Sequence, residues 1–368
     1  MILYRYVIKE HIGPFFLGLV CLTFILIMNS IFTLIWDVVG KGLTLHVVLN
    51  LLLFSLPWII ALAVPMAVLV ATLMAFGRIS QDWEIGASKA CGINPISLIV
   101  LPIILSAILT IFMIWFNNHT LPQANHKLKN LMIDIGQKKP IFRMKALVTF
   151  SDFEGYDVQV KEVDYKSSVV KEVKVFEKTP PRREIFAKRG SFSIKGDVLT
   201  MMLKDGEIHE MVSEKPLRYR RLSFSEHIIN FPLDMTFTRK NRSYKGEREL
   251  SAKEIRERIR DVKKGKGSEK YKRMKINRLL VEYHKKYSIP FACIVFVVMG
   301  APLAMRIRRG GASLSFGLAL IFFIFYYVCL VGGEQLGDRG IIEPWLAMWF
   351  PNMILGALGI YFLYRVNK

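Results

Sequence analysis

The sequence predicts an α-helical membrane protein of six transmembrane helices carrying an inserted all-β domain. Three observations lead there. Six apolar stretches reach the length a bilayer core demands, about 20 residues each. A polar stretch of roughly 160 residues, with no candidate span, separates the first three from the last three. Within that stretch, continuous apolar runs give way to alternation, the period of half-buried strands.

The expected spans are Ile12 to Trp36, Val47 to Phe76, Ile96 to Phe116, Tyr287 to Met305, Leu314 to Gly332 and Trp345 to Tyr364. Pro57 and Pro65 each remove a backbone donor from the second, so it is expected to tilt or kink. This divides the chain into residues 1–117, with three spans and a short helix near 80–92, an inserted domain over 118–275, and residues 276–368 with three more spans.

Orientation follows from the short connections, because basic residues collect on the cytoplasmic side. With the amino terminus inside, cytoplasmic segments hold Arg5, Lys9, Arg78, Lys89, Arg306, Arg308, Arg309, Arg365 and Lys368, against Lys41 and Arg339 in the outer loops. Both termini are therefore expected in the cytoplasm and the inserted domain outside, in the periplasm of a bacterium. The first apolar run is too long for a cleavable signal peptide and is expected to stay as an anchor. The four cysteines, at 21, 91, 293 and 329, leave the external domain to fold without disulfides.

The net charge of +21 is concentrated in the insert, where residues 118–275 hold 37 Lys and Arg against 22 Asp and Glu. Solubility accounts for such a charge, and so does an acidic partner such as a phosphorylated glycolipid. Nucleic acid is not expected on that side of a membrane. Alternation at Val158-Gln159-Val160, Val169 to Phe176, Ser191 to Ile194, Val198 to Leu203 and Leu222 to Phe224 predicts strands of an antiparallel sandwich or open barrel. Lys204-Asp205-Gly206-Glu207 reads as a tight hairpin turn, with further turns at Gly155 and Pro180-Pro181. Ser251 to Lys264 is a charged helix with Ile255, Ile259 and Val262 at helical spacing.

The short loop between the second and third spans carries the most function-like pattern. Ser80 is the expected N-cap, Asp82 and Glu84 suit the positive helix end, Lys89 the negative one, and Gly92 with Asn94-Pro95 the stop. Glu84, Ala87, Ser88 and Cys91 share a face, and the small Gly86, Ala87 and Ala90 admit close approach by another protein.

The pattern Glu84-Ile85-x-Ala87-x-Lys89-Ala90-x-Gly92 resembles the coupling helix of the permeases of the lipopolysaccharide-export ABC transporter, the LptF/LptG family. Residues 282–293, from Glu282-Tyr283-His284-Lys285-Lys286 through Pro290 to Cys293, with Gly300-Ala301-Pro302-Leu303 and Arg308-Arg309-Gly310, resemble that family's fourth span and following loop. Gly332-Gly333-Glu334 and Pro351-Asn352 also fit, while Tyr4 to Glu10 and Gly40-Lys41-Gly42 lean toward the LptF branch. The resemblance covers nearly the whole chain. It implies a β-jellyroll outside the membrane, a second LptF/LptG-type permease, an LptB-type ATPase dimer below, an LptC-type bitopic protein, and lipopolysaccharide as cargo.

On this reading Asp82, Glu84, Ala87, Lys89 and Gly92 couple the chain to the ATPase. Lys41 is the expected cation for the lipid phosphates. Phe32, Ile35 and Trp36 on the first span, with Phe316, Leu320, Phe323 and Tyr327 on the fifth, are the expected apolar contacts. No catalytic or metal-binding residue and no bound cofactor is expected. Arg260 stands where a phosphate-binding loop ending at Gly265-Lys266 needs glycine, so ATP and Mg belong to the ATPase partner. H-E-x-x-H is absent, and Gly311 to Ser315 fails G-x-S-x-G at its last position. A membrane enzyme acting on envelope lipids, or a sensor reading its external domain, are the alternatives.

Overall fold

The computed structural model describes residues 2–41, 45–138, 149–153, 155–164, 169–178, 183–195, 198–211, 219–232, 244–265, 268–306 and 311–366. The helices are α1 (Ile2–Lys41), α2 (Leu45–Gln81), α3 (Glu84–Ala90), α4 (Pro95–Lys138), α5 (Ala252–Lys264), α6 (Glu269–Arg306), α7 (Gly311–Asp338) and α8 (Pro344–Val366). All except α3 and α5 are long and apolar enough to cross a membrane. The chain forms two compact units, one of Met1–Ser30, Leu52–His126 and Lys245–Lys368, the other of Ile31–Leu51 and Lys127–Tyr244.

In the helical unit α2 and α6 form the centre: 89% and 78% of their most apolar windows are buried, against 11% for α1 and 22% for α7. Lipid offers no hydrophobic drive for helix association, so contact depends on close packing and polar bonds. A Cβ on Gly359 of α8 would sit 2.9 Å from Met299 Cα of α6, and one on Gly333 of α7 would sit 2.5 Å from the Ala347 carbonyl oxygen of α8. These glycines set how near the backbones come. Pro290 removes one rung of the hydrogen-bond ladder of α6, and around it side chains of neighbouring helices bond to the α6 backbone. Asn352 Nδ2 donates to the Ser288 carbonyl at 2.8 Å and Thr110 Oγ1 to the Pro290 carbonyl at 3.2 Å. One turn earlier the buried Lys286 donates to the Asn117 carbonyl at 3.0 Å, tying α6 to α4. A cation buried on a long apolar helix needs such a partner.

The other unit is built on an antiparallel sheet in sequential order, β1 (Thr149–Phe153), β2 (Tyr156–Asp164), β3 (Val169–Glu177), β4 (Arg183–Lys195), β5 (Val198–Met211) and β6 (Tyr219–Pro232). Every expected strand lies inside one of these. Val158, Val160, Val170, Val173, Val175, Ile185, Met201 and Leu203 form a common core at 3% exposure or less. The fold is therefore the expected six-span helical membrane protein with an inserted all-β domain, its strands joined in one sequential antiparallel sheet.

Lys204 to Glu207 is not a hairpin turn. It lies within β5, where Lys204 pairs with Arg189 and Glu226, and Gly206 with Ala187 and Phe224. Asp205 has φ 53°, a local irregularity, and a Cβ on Gly206 would lie 2.2 Å from the Phe186 carbonyl oxygen. The glycine answers to close approach by a neighbouring strand, which a turn reading cannot separate from positive φ. Gly155, at φ 82°, turns β1 into β2 as expected. Pro180 and Pro181 lie outside the described residues.

The chain re-enters the helical unit through a 3₁₀ turn at Glu247–Glu249 and α5. Ser251 caps α5 in a reciprocal box with Glu254: the Glu254 N–H donates to Ser251 Oγ at 3.3 Å, and the Ser251 N–H to Glu254 Oε2 at 2.7 Å. Its apolar stripe, Ile255 with Ile259 and Val262, packs on Leu250, Leu279 and Tyr283.

Candidate functional site

The candidate coupling segment begins where α2 ends. Ser80 is not an N-cap. It remains in the last turn of α2, buried, and its hydroxyl donates to the Met305 carbonyl of α6 at 3.0 Å. The break falls instead at Trp83, whose φ of 58° reverses the backbone ahead of α3, with no side-chain cap. A serine at a helix end signals a cap from sequence; here tertiary contact claims the hydroxyl.

α3 ends as expected. Gly92 adopts φ 75°, its N–H donates to the Lys89 carbonyl at 3.0 Å, and the Ile93 N–H donates to the Ser88 carbonyl at 2.9 Å. These two bonds are a Schellman closure. Asn94 then starts α4, its Oδ1 accepting the Ile96 N–H at 2.9 Å, with Pro95 in the first helical position.

Within α3 the candidate residues divide. Glu84 is half-buried, and its Oε1 accepts the Tyr6 hydroxyl of α1 at 2.9 Å. Ile85 is buried in the helical core. Asp82, Ala87, Lys89 and Gly92 are exposed, as are Gly86, Ala90 and Trp83, the last at 68%. Beside them Arg78 donates to Glu10 Oε2 of α1 at 2.9 Å and lies 3.8 Å from Asp82. α3 is thus fixed to α1 through Tyr6 and Glu84, with Ile85 buried, while Gly86, Ala87, Lys89 and Ala90 remain exposed. The sequence marks Tyr6 and Glu10 only within the Tyr4 to Glu10 motif and not as partners of this segment, because a contact across some 70 residues leaves no periodic trace.

The expected cargo residues fall in two places. Phe32, Ile35, Trp36 and Lys41 belong to α1, but their side chains lie outside the described residues. On α7, Phe316 and Phe323 are half-buried against the helical core, while Leu320 and Tyr327 are each 36% exposed. The Phe323 and Tyr327 rings are 5.9 Å apart. The stripe runs along the border between the packed and open faces of α7; Ile321, Ile324 and Val328 are the more exposed.

A second polar constellation lies at the Glu334 end of α7. Glu334 accepts from Lys285 at 2.7 Å and from Arg248 at 2.9 Å, and Glu282 lies 3.3 Å from Lys285 and 3.4 Å from Arg248. Two carboxylates and two cations thereby join α6, α7 and the 3₁₀ turn. Burial disfavours the charge on Arg248, but Glu282 and Glu334 outweigh it and raise its pKa. The sequence marked Glu334 and Lys285 within motifs, and Arg248 was hidden in a generally basic stretch. Among the described residues no group of three or more His, Cys, Asp or Glu could hold a metal ion.

Six membrane-length helices, a short anchored helix between two of them and an inserted antiparallel sheet define a polytopic membrane protein with one inserted domain. The family model described as lipopolysaccharide export system permease LptF/LptG matches residues 5–365, and the chain belongs to that family. The match spans nearly the whole sequence and covers LptF and LptG together. It makes the protein a multi-pass permease of the inner membrane. A search of curated proteins returned no match.

Proposed function

We propose that this chain is a non-catalytic permease subunit of an ABC transporter that extracts lipopolysaccharide from the inner membrane and passes it to a periplasmic bridge toward the outer membrane. The observation that carries the coupling role is α3, held to α1 through Tyr6 and Glu84 while Asp82, Ala87, Lys89 and Gly92 face outward. A helix pinned on one side moves with the span it is pinned to. Force delivered to its open face by an LptB-type ATPase dimer, which binds ATP and Mg, then reaches α1.

In this arrangement both termini are cytoplasmic and the sheet is periplasmic. A second LptF/LptG-type permease completes the cavity, and an LptC-type bitopic protein continues the route. The sparse burial of α1 and α7 supports a partner in the membrane, since these helices leave most of their apolar surface open within the chain. Lys41 with Phe32, Ile35 and Trp36, and Phe316, Leu320, Phe323 and Tyr327, contact the cargo.

The test is affinity purification of the tagged chain from native membranes, followed by mass spectrometry of the intact assembly. An ATPase dimer, a second permease and bound lipopolysaccharide support the proposal. A lone chain holding only phospholipid refutes it. Photocrosslinkers at positions 32, 36 and 323 test the cargo path; capture of protein alone removes those residues from it.

A further inference from the structure

We propose that the cleft between the C-terminal end of α5 and the first turns of α6 binds the anionic sugar portion of the glycolipid, beyond the headgroup layer. This rests on the orientation and cargo proposed above. The cleft, of about 600 Å³, is lined by Lys263, Glu269, Lys270, Lys272, Arg273 and Ile276. Its four cations face a single carboxylate, which Lys272 engages at 3.1 Å. Lys263, Lys270 and Arg273 are exposed and make no ion pair among the described residues. Lys263 sits in the last turn of α5, where it also suits the negative helix end. That does not explain Lys270 and Arg273, which stand near the positive end of α6 and gain nothing from its dipole. Like charges held in one concavity with a single counter-charge among them repel, and an anion relieves them. Next to them Tyr271 is 63% exposed, and Lys275 lies 5.7 Å from the centre of its ring. A flat ring flanked by cations suits a phosphorylated or carboxylated sugar.

The distance along α6 selects sugar over phospholipid. Helical rise carries Lys272 about 22 Å from Tyr287, where the continuous apolar run begins, and no proline interrupts that stretch. Headgroups extend only about 5–8 Å beyond the hydrocarbon on each side. Even a tilt of about 40° leaves the cleft about 17 Å out. Bilayer phospholipids stop short of it, whereas the oligosaccharide of a glycolipid seated in the membrane reaches it.

The experiment compares the purified full-length chain with the triple variant Lys263→Gln, Lys270→Gln, Arg273→Gln. Each is titrated with lipopolysaccharide bearing a phosphorylated core and with lipid A lacking the core, at low and high salt. At roughly fivefold per surface cation, the variant binds the core-bearing glycolipid about a hundredfold more weakly at low salt, with a shallower salt dependence. Its affinity for lipid A stays within twofold, which also shows that the fold survives. Unchanged binding of the core-bearing glycolipid overturns the proposal and leaves the transport reading standing. Equal loss for both glycolipids overturns it too, because the cleft then serves the headgroup or the fold. Intact glycolipid binding with loss of a co-purifying acidic protein assigns the cleft to that protein instead. Wild-type chain that binds neither glycolipid overturns this proposal together with the reading beneath it.

Discussion

Tyr6→Phe tests the attachment of α3 with the smallest perturbation available. The substitution deletes one hydroxyl, keeps the ring packed against the helical core, and leaves Glu84 without the 2.9 Å bond that ties α3 to α1. A hydrogen bond to a charged acceptor contributes about 1.5–3 kcal/mol when shielded. Glu84 is only half-buried and can recover water, so a cost near the lower end, about 1.5 kcal/mol, applies. That corresponds to roughly a tenfold fall in the docked fraction of α3 relative to the undocked one. The assay is the number of glycolipid molecules moved per ATP hydrolysed by the reconstituted complex. Tyr6→Phe is expected to keep ATP hydrolysis within about twofold while transport per ATP falls several-fold, because hydrolysis belongs to the partner and force transmission to the anchored helix. Glu84→Gln keeps a neutral acceptor and is expected to lose less than Glu84→Ala. The double variant Tyr6→Phe, Glu84→Ala should do no worse than Glu84→Ala alone. Losses that simply add, or a transport ratio unchanged by Tyr6→Phe, refute the role given to this pair.

Gly333→Leu drives a side chain into the Ala347 carbonyl and is expected to destabilise the α7–α8 contact by about 1–3 kcal/mol. Gly332→Ala, with nothing within 4 Å of its added Cβ, should not lower the melting temperature in detergent and should raise it slightly, since alanine favours the helix over glycine. Glu334→Gln strips Lys285 and Arg248 of a shared carboxylate and should lower stability by about 2 kcal/mol; thermal unfolding of the two proteins reads the difference. Burial opposes ionisation of Glu254, but bonds from Lys245 and from the Ser251 backbone and hydroxyl bring its pKa down to about 2. The cap contribution is therefore fully present above the ordinary carboxylate range near 4.5 and is lost as pH falls through about 2. Hydrogen exchange of residues 252–264, corrected for its intrinsic pH dependence, should show α5 loosening across that window, and Ser251→Ala should cost about 1 kcal/mol at neutral pH.

The spans were legible because a bilayer imposes one length and one composition on every crossing, and the helices bracket all six expected stretches. What composition cannot give is where a helix stops outside lipid. α4 runs on to Lys138 and α6 starts at Glu269, well beyond their apolar runs. Strand positions followed from alternation, but their lengths did not: β4, β5 and β6 reach 13 or 14 residues, β5 running straight across the polar Lys204 to Glu207 that reads as a turn. In the candidate site, Gly92 and Asn94 act as the sequence indicated because both work through their own local backbone. Ser80 does not, because a carbonyl 225 residues away accepts its proton. Tyr6 and Lys286 stand in the sequence only as members of motifs and Arg248 in none, and their partners were not legible for the same reason, since each bonds to an element distant in sequence.

The central claim is that this permease moves lipopolysaccharide at the expense of ATP hydrolysed by another subunit. Its most direct test is a photocrosslinking residue in place of Ile208, on the strand β5 that helps enclose the apolar core of the sheet, in the complex reconstituted into vesicles loaded with lipopolysaccharide. The account predicts a glycolipid adduct that accumulates with ATP and is lost when Glu84→Ala is introduced. Adduct formation that is equal with and without ATP, or that never appears although the complex hydrolyses ATP, contradicts it.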